Sequence, residues 1–157
     1  MLSKLKSLGL TGIEGFVVEI ETDIVGGVPH FEIVGLGDTA VKEAKDRVKS
    51  AIRNSGFEYP VKHITINLAP ADIKKEGPLY DLGIAVGILS ASEQIVKKTY
   101  KDYVFLGELS LDGTIKKVKG VLPMLISALK LGHKNVIIPK DNTEEASYIA
   151  NMNIFAF

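Results

Sequence analysis

The sequence predicts an α/β (α+β) fold in which helices pack on a mixed sheet. Three observations indicate this class. The opening half of the chain is rich in β-branched segments, later strands alternate with helical segments, and one helical segment is apolar on nearly every side. A chain of 157 residues is also long enough to bury a substantial core. We therefore expect residues 1–157 to form a single domain.

Strands are predicted where β-branched and aromatic residues cluster between turn-forming residues. An Asp-Gly pair in the second half of the chain indicates a hairpin turn. The predicted strands are Gly15–Thr22, Phe31–Val34, Ile64–Leu68, Tyr103–Leu106, the hairpin segment Leu111–Ile115, Val136–Ile138 and Asn153–Ala156.

Four helices are predicted from apolar residues at helical spacing and from residues that favour helix ends. Asp38 is expected to cap the first helix and Gly56 to end it. The second helix is apolar nearly all round, which predicts that it is the central helix of the core. Thr143 is expected to cap the short fourth helix. The helices span about Asp38–Ser55, Asp81–Ser92, Val121–Leu131 and a segment that begins at Thr143.

The composition restricts the classes of function. Nineteen basic residues balance nineteen acidic ones, so no overall field attracts polyanions, and any such site must be a local patch. The chain has no cysteine, which excludes disulfides, thiol catalysis and thiolate metal sites. No signal peptide is visible, and no apolar run approaches the roughly 18 residues of a membrane span. We expect a cytoplasmic protein without membrane contact.

Nucleotide and metal sites are not predicted. Gly35–Ala40 matches the spacing G-x-G-x-x-A, but Asp38 would repel a pyrophosphate, and the acid expected about 20 residues later is missing. A glycine turn before a helix is the preferred interpretation. The dipeptide Gly-Lys never occurs, which excludes a P-loop. The histidines lie far apart in sequence and are interpreted as surface or turn residues, so no cofactor or metal is expected. They are His30, His63 and His133.

Charged residues around Gly77-Pro78 are a second candidate site. Paired carboxylates there could carry out general acid–base chemistry. The preferred interpretation is mutual neutralisation with the two lysines between them. The acids are Asp72, Glu76 and Asp81, and the lysines are Lys74 and Lys75.

The first predicted helix carries a basic stripe, made up of Lys42, Lys45, Lys49 and Arg53, beside its apolar face. With Arg47 added, residues 38–55 hold five basic and three acidic residues. Such a stripe can contact phosphates, but it is equally typical of a solvated helix face. No aromatic stacking platform accompanies it. We regard the stripe, with Lys74 and Lys75, as a candidate nucleic-acid or subunit contact.

The loop between the strand Ile64–Leu68 and the helix that begins near Asp81 resembles that of the Lon-type protease domain. In that domain the residue after Gly-Pro is the nucleophilic serine, and its lysine partner follows a later glycine pair. The resemblance places Leu79 and Leu122 at these two positions. Because neither leucine can act as nucleophile or base, the resemblance implies the fold without peptidase activity. We expect the two leucines to face each other.

Five segments spread over most of the chain carry a second resemblance. They are Glu14–Glu19, Phe31–Leu36, Val48–Phe57, Ile66–Asp72 and Phe105–Gly113. In matching order they resemble the amino-terminal domain of the bacterial magnesium-chelatase-like AAA+ ATPases of the ComM/YifB family. The resemblance implies a Lon-protease-like fold of the ribosomal S5 domain 2 type, an AAA+ motor outside this chain, hexameric assembly and DNA processing. An active Ser–Lys peptidase and a general ligand or interaction domain are the alternatives.

Overall fold

The computed structural model describes residues 1–75, 77–96 and 102–157. Within these residues nine strands and four α-helices are formed, and 3₁₀ turns lie at Pro78–Tyr80 and Lys140–Asn142. The strands are β1 Leu2–Thr11, β2 Glu14–Val25, β3 His30–Val34, β4 His63–Ala69, β5 Tyr103–Phe105, β6 Glu108–Leu109, β7 Ile115–Lys116, β8 Asn135–Ile138 and β9 Asn153–Ala156. The helices are α1 Asp38–Asn54, α2 Asp81–Ala91, α3 Val121–Lys130 and α4 Thr143–Ala146.

Seven strands form one mixed sheet in the order β3-β4-β2-β1-β5-β8-β9. The pairs β1–β2 and β2–β4 are antiparallel, and the other four neighbouring pairs are parallel. The strands β6 and β7 form a separate antiparallel hairpin, which confirms the turn predicted from Asp112-Gly113. The predicted mixed sheet with helices packed on it is therefore confirmed.

The strand β1, at the middle of the sheet, was not predicted. Its sequence carries two lysines and a glycine among the leucines, and glycine and, to a lesser degree, lysine are depleted in strands. Ser7 is nevertheless fully buried, and its hydroxyl donates to the carbonyl oxygen of Phe105 at 2.6 Å. Small residues let other elements approach β1 closely, because Gly87 of α2 lies beside Ser3 and Tyr80 lies beside Gly9. Tertiary packing therefore overrides the local preference.

Helices cover both faces of the sheet. A Cβ at Gly83 of α2 would lie 2.5 Å from Ile20 Cδ1 on β2, whereas a Cβ at Gly15 on the same strand would lie 2.8 Å from Ser127 Cβ of α3. Residues of odd and even number point to opposite faces of a strand. The helices α2 and α3 therefore lie on opposite sides of β2, each over its own apolar cluster.

The helix predictions are confirmed in outline and corrected at their ends. Nine of the eleven residues of α2 are buried, as expected of a central helix. Gly56 adopts φ +86° after α1, as predicted. Asp38, however, is the first residue of α1 and Gly37 is its N-cap, so Asp38 acts through its charge at the positive helix end. Likewise Asn142, not Thr143, is the N-cap of α4.

The buried Asn142 joins α4 to the segment that precedes α3. Its side chain accepts from the amide of Val118 at 3.0 Å and donates to the carbonyl of Val118 at 2.9 Å.

No helix in the part of the chain that the structure describes is long and apolar enough to cross a bilayer.

Candidate functional site at the start of α2

The start of α2 is where the Lon-like loop meets the rest of the fold. Gly77 has φ +90°, which a glycine adopts without strain, and it turns the chain into the 3₁₀ turn Pro78–Tyr80. Gly107 then fixes the backbone on both sides of the turn. Its amide donates to Leu79 O at 3.0 Å, and its carbonyl accepts from the amide of Leu82 at 3.1 Å. The segment after β5 therefore holds this turn in one position.

Asp81 lies directly after this turn and is only 1% exposed. Arg47 of α1 donates from Nε to Asp81 Oδ2 at 2.6 Å and from Nη2 to Oδ1 at 3.0 Å. The amide of Leu109 donates to Oδ2 at 3.1 Å. The predicted neutralisation of Asp81 by Lys74 or Lys75 is thus wrong, because the carboxylate pairs with an arginine from another helix.

The electrostatics of this pair indicate a structural role. Burial raises the pKa of the Asp81 carboxyl above its usual range, against the hydrogen bonds from Arg47 and Leu109. The hydrogen bond with Asp81 raises the pKa of Arg47. Both carboxylate oxygens already accept hydrogen bonds, so Asp81 is not free to remove a proton from a substrate. Its predicted partner acid Asp72 is exposed, and Glu76 lies outside the described residues.

Of the two predicted dyad positions, Leu79 lines an open cleft beside the turn before α2. Leu79 is partly buried and packs against both apolar clusters. Beside it a cleft of about 380 Å³ is lined by Gly77, Pro78, Glu108 and residues 117–119. Leu122 lies in the first turn of α3 and is also partly buried. A leucine at the nucleophile position offers this cleft no attacking atom, and the facing of the two leucines stays a prediction.

Lys75 is oriented away from solvent, with only 4% of its surface exposed. Its ammonium donates to the carbonyl oxygen of Pro70 and, at 2.7 Å, to that of Ile73. Burial lowers the pKa of Lys75, and the nearby Asp72 opposes this effect. The position of Lys75 contradicts its proposed contact with nucleic acid, whereas Lys74 is exposed.

Backbone conformation and close packing explain the first glycine of the Gly35–Ala40 turn. Gly35 has φ +105°, and a Cβ there would lie 2.8 Å from the carbonyl oxygen of Leu68 and 3.0 Å from Lys75 Cε. The close approach of β4 and the buried lysine therefore requires glycine. This packing supports the interpretation of the motif as a turn before a helix.

The basic stripe lies on α1 beside the buried residues Ala44, Val48, Ala51 and Ile52. Within the stripe, Lys42 and Arg53 are exposed, and Lys45 and Lys49 are half-buried. Arg47 does not share this surface, because it is held by Asp81.

An aromatic ring that the sequence did not indicate accompanies the stripe. The ammonium of Lys49 lies 5.6 Å from the ring centre of Tyr59. Burial raises the pKa of Tyr59 to about 12, with Arg53 acting in the opposite direction. The stripe is therefore partly organised by packing on its own chain.

Two of the three histidines are close together, contrary to the sequence prediction. His30 of β3 and His63 of β4 occupy paired positions in the sheet, and their ring centres are 5.1 Å apart. Glu32 lies beside both rings. Sequence spacing could not reveal this cluster, because it arises from the pairing of two strands 33 positions apart. His133 lies elsewhere, and burial lowers its pKa, as does Lys6.

The mixed sheet, the helices on both of its faces and the turn before α2 form a Lon-like α/β domain. The Lon protease of Trichlorobacter lovleyi is 27% identical over 149 residues, which cover 90% of this chain and 18% of that protein. Residues 20–142 match the family model described as subunit ChlI of Mg-chelatase. The chain therefore belongs to this Mg-chelatase-like AAA+ family, which includes ComM and YifB.

Two relatives within the family match almost the whole chain. Competence protein ComM of Haemophilus influenzae is 45% identical over 144 residues, which cover 92% of this chain and 28% of that protein. Uncharacterized protein YifB of Escherichia coli is 46% identical over 148 residues, which cover 94% of this chain and 29% of that protein. The chain thus spans less than a third of the length of these relatives.

Proposed function

We propose that this chain is the non-catalytic N-terminal domain of a bacterial Mg-chelatase-like AAA+ ATPase. Its role is subunit assembly, DNA engagement or both, in DNA processing such as transformation or recombination. The observation that carries the proposal is the basic stripe on α1, which lies apart from the buried Arg47–Asp81 pair. One relative is named a competence protein, which supports a role in DNA processing.

We propose that the domain is not catalytic because of the residues at the two expected dyad positions. A Lon-like peptidase requires a hydroxyl at position 79 and an amine at position 122, and this chain has leucine at both. Leu79 instead packs against both apolar clusters. Lys75 is the lysine nearest to Leu79 in sequence on this loop, and its ammonium donates hydrogen bonds to backbone carbonyls. These contacts support a structural role for the loop before α2.

The basic stripe suits phosphate contacts that do not depend on sequence. Lysine and arginine side chains on one helix face can neutralise phosphates and release counterions. The chain as a whole has no net charge, so such contacts must be local and weak. The proposed partners are the AAA+ motor of the same protein, further copies in a hexamer and DNA. We propose that the domain binds no cofactor, does not contact the membrane and is located in the cytoplasm.

The test uses the full-length protein with Lys42, Lys45 and Lys49 changed together to glutamate. If all three contact phosphates, the slope of log K against log salt should decrease by up to about 3 units. A matched control changes three exposed lysines elsewhere, Lys130, Lys134 and Lys140, to glutamate. DNA binding is measured at several salt concentrations, and assembly is measured by light scattering.

The outcomes distinguish the two roles. Weaker DNA binding with an intact assembly assigns the stripe to DNA, and lost assembly with unchanged salt dependence assigns it to subunit contact. If DNA binding, its salt dependence and assembly all match those of the control variant, the proposed role of this surface is wrong.

A further inference from the structure

A cluster of metal-binding side chains lies at one edge of the main sheet. The edge strand β3 pairs in parallel with β4, and the pairing sets His30 directly beside His63. Side chains at paired positions of neighbouring strands point to the same face, about 5 Å apart. Both imidazoles therefore project from the face opposite to the buried Phe31 and Ile64.

A carboxylate completes the cluster. Glu32 lies two residues after His30 on β3 and so points to the same face. Its Oε2 lies 3.4 Å from His30 Nε2, and its Oε1 lies 4.0 Å from His63 Nε2. One ligand atom from each of the three residues can be chosen so that all lie within 4.8 Å of one another. Thr65 of β4 is paired with Glu32 of β3, and its hydroxyl Oγ1 lies 3.4 Å from Glu32 Oε1.

The donor set matches a transition metal. Zinc binds imidazole nitrogen and carboxylate oxygen at about 2.0–2.2 Å, which places tetrahedral ligands roughly 3.4 Å apart. The ligand atoms lie 3.4 and 4.0 Å apart in the two histidine–glutamate pairs and within 4.8 Å overall, so rotations of these side chains would have to close the larger gaps. Two histidines and one carboxylate leave a fourth position open to water. Hard cations such as Mg²⁺ prefer oxygen ligands and do not match this set.

We propose that His30, Glu32 and His63 form a binding site for a divalent transition metal ion, with Zn²⁺ as the ion that fits best. The site rests on the pairing of β3 with β4, and it shares no residue with the turn before α2. An ion there would join the edge strand to its neighbour through three side chains. It would therefore stabilise the β3 edge of the sheet.

The test titrates ZnCl₂ into the full 157-residue chain, prepared without a histidine tag, and follows binding by calorimetry. We expect one ion per chain. The variants His30→Ala, Glu32→Gln and His63→Ala should each weaken binding by at least about tenfold, because loss of even an outer partner of a metal ligand costs that much. The matched control is His133→Ala, which removes the third histidine and should leave the affinity unchanged. Mg²⁺ should not compete.

Two further measurements make the test decisive. Co²⁺ in place of Zn²⁺ should give the visible absorption of a four-coordinate site, and each ligand variant should lose it. Circular dichroism checks that the variants remain folded, as expected for side chains at a solvent-facing sheet surface. The proposal is overturned if the unmodified chain binds no Zn²⁺, if His30→Ala and His63→Ala bind as tightly as it does, or if His133→Ala abolishes binding.

Discussion

Arg47 on α1 holds both carboxylate oxygens of Asp81, at 2.6 and 3.0 Å, although Asp81 is almost completely buried. The same carboxylate accepts a hydrogen bond from the amide of Leu109, so the Asp81 side chain connects α1, α2 and the β6–β7 hairpin. Such a bidentate pair is geometrically specific. The junction beside the turn before α2 is therefore fixed by an ion pair rather than by apolar packing alone.

The first prediction is that Arg47→Ala is strongly destabilising. Removing one partner of a buried pair leaves an uncompensated charge, which costs about 3–5 kcal/mol. The matched control Arg53→Ala removes an exposed arginine from the same helix and should cost less than about 1 kcal/mol. Urea unfolding measures both free energies. The double variant Arg47→Met/Asp81→Leu should recover much of the loss, and a double variant less stable than Arg47→Ala would contradict this account.

The second prediction concerns the pH dependence of the same variant. Because burial raises the pKa of Asp81, the folded state takes up this proton more readily than the unfolded chain. The contribution of Asp81 to stability therefore falls as pH rises from the usual aspartate range through the raised pKa. Arg47 gives the largest opposing effect, so its removal raises the folded pKa further.

The destabilisation by Arg47→Ala should consequently be smaller at about pH 5 than at about pH 7, because protonation removes the unpaired charge. Unfolding curves at the two pH values, each compared with Arg53→Ala, measure the difference. An equal or larger loss at the lower pH would show that Asp81 does not titrate in this way.

The third prediction separates the two adjacent lysines. Lys75→Met keeps the length of the side chain but leaves the carbonyls of Pro70 and Ile73 without their donor, at a cost of about 1–3 kcal/mol. Lys74→Met, at the exposed neighbouring position, should change stability by less than about 0.5 kcal/mol. Thermal unfolding compares the variants. Unchanged stability of Lys75→Met would mean that its buried bonds contribute little.

The fourth prediction is that restoring the dyad does not restore a peptidase. Leu79→Ser with Leu122→Lys supplies the two groups, but acyl transfer also requires oxyanion stabilisation and substrate contacts. Casein hydrolysis should stay at background. Burial of unpaired polar groups should cost about 1–3 kcal/mol for each.

Leu79→Ala with Leu122→Ala is the control, since it removes apolar packing without adding polarity. The difference between the two double variants then measures the cost of the polar groups. Casein hydrolysis above background by the Ser–Lys variant alone would show that the rest of a peptidase site survives.

Much of the fold could be predicted because local patterns agreed with the final packing. The apolar surface of α2, the periodic stripe of α1 and the Gly56 stop each lie within one segment and were identified correctly. The central strand β1 was missed because Lys4, Lys6 and Gly9 look unfavourable for a strand in isolation. The small residues Ser3 and Gly9 are useful only where Gly87 of α2 and Tyr80 approach the strand.

The sequence by itself determined the class of fold and the family, since both depend on residue order and local periodicity. Only the tertiary structure decided which charged groups meet. It paired Asp81 with Arg47, buried Lys75 against carbonyls and brought His30 to His63. Charge partners are set by distances between separate elements, so the lysines that neighbour Asp81 in the chain did not predict its partner.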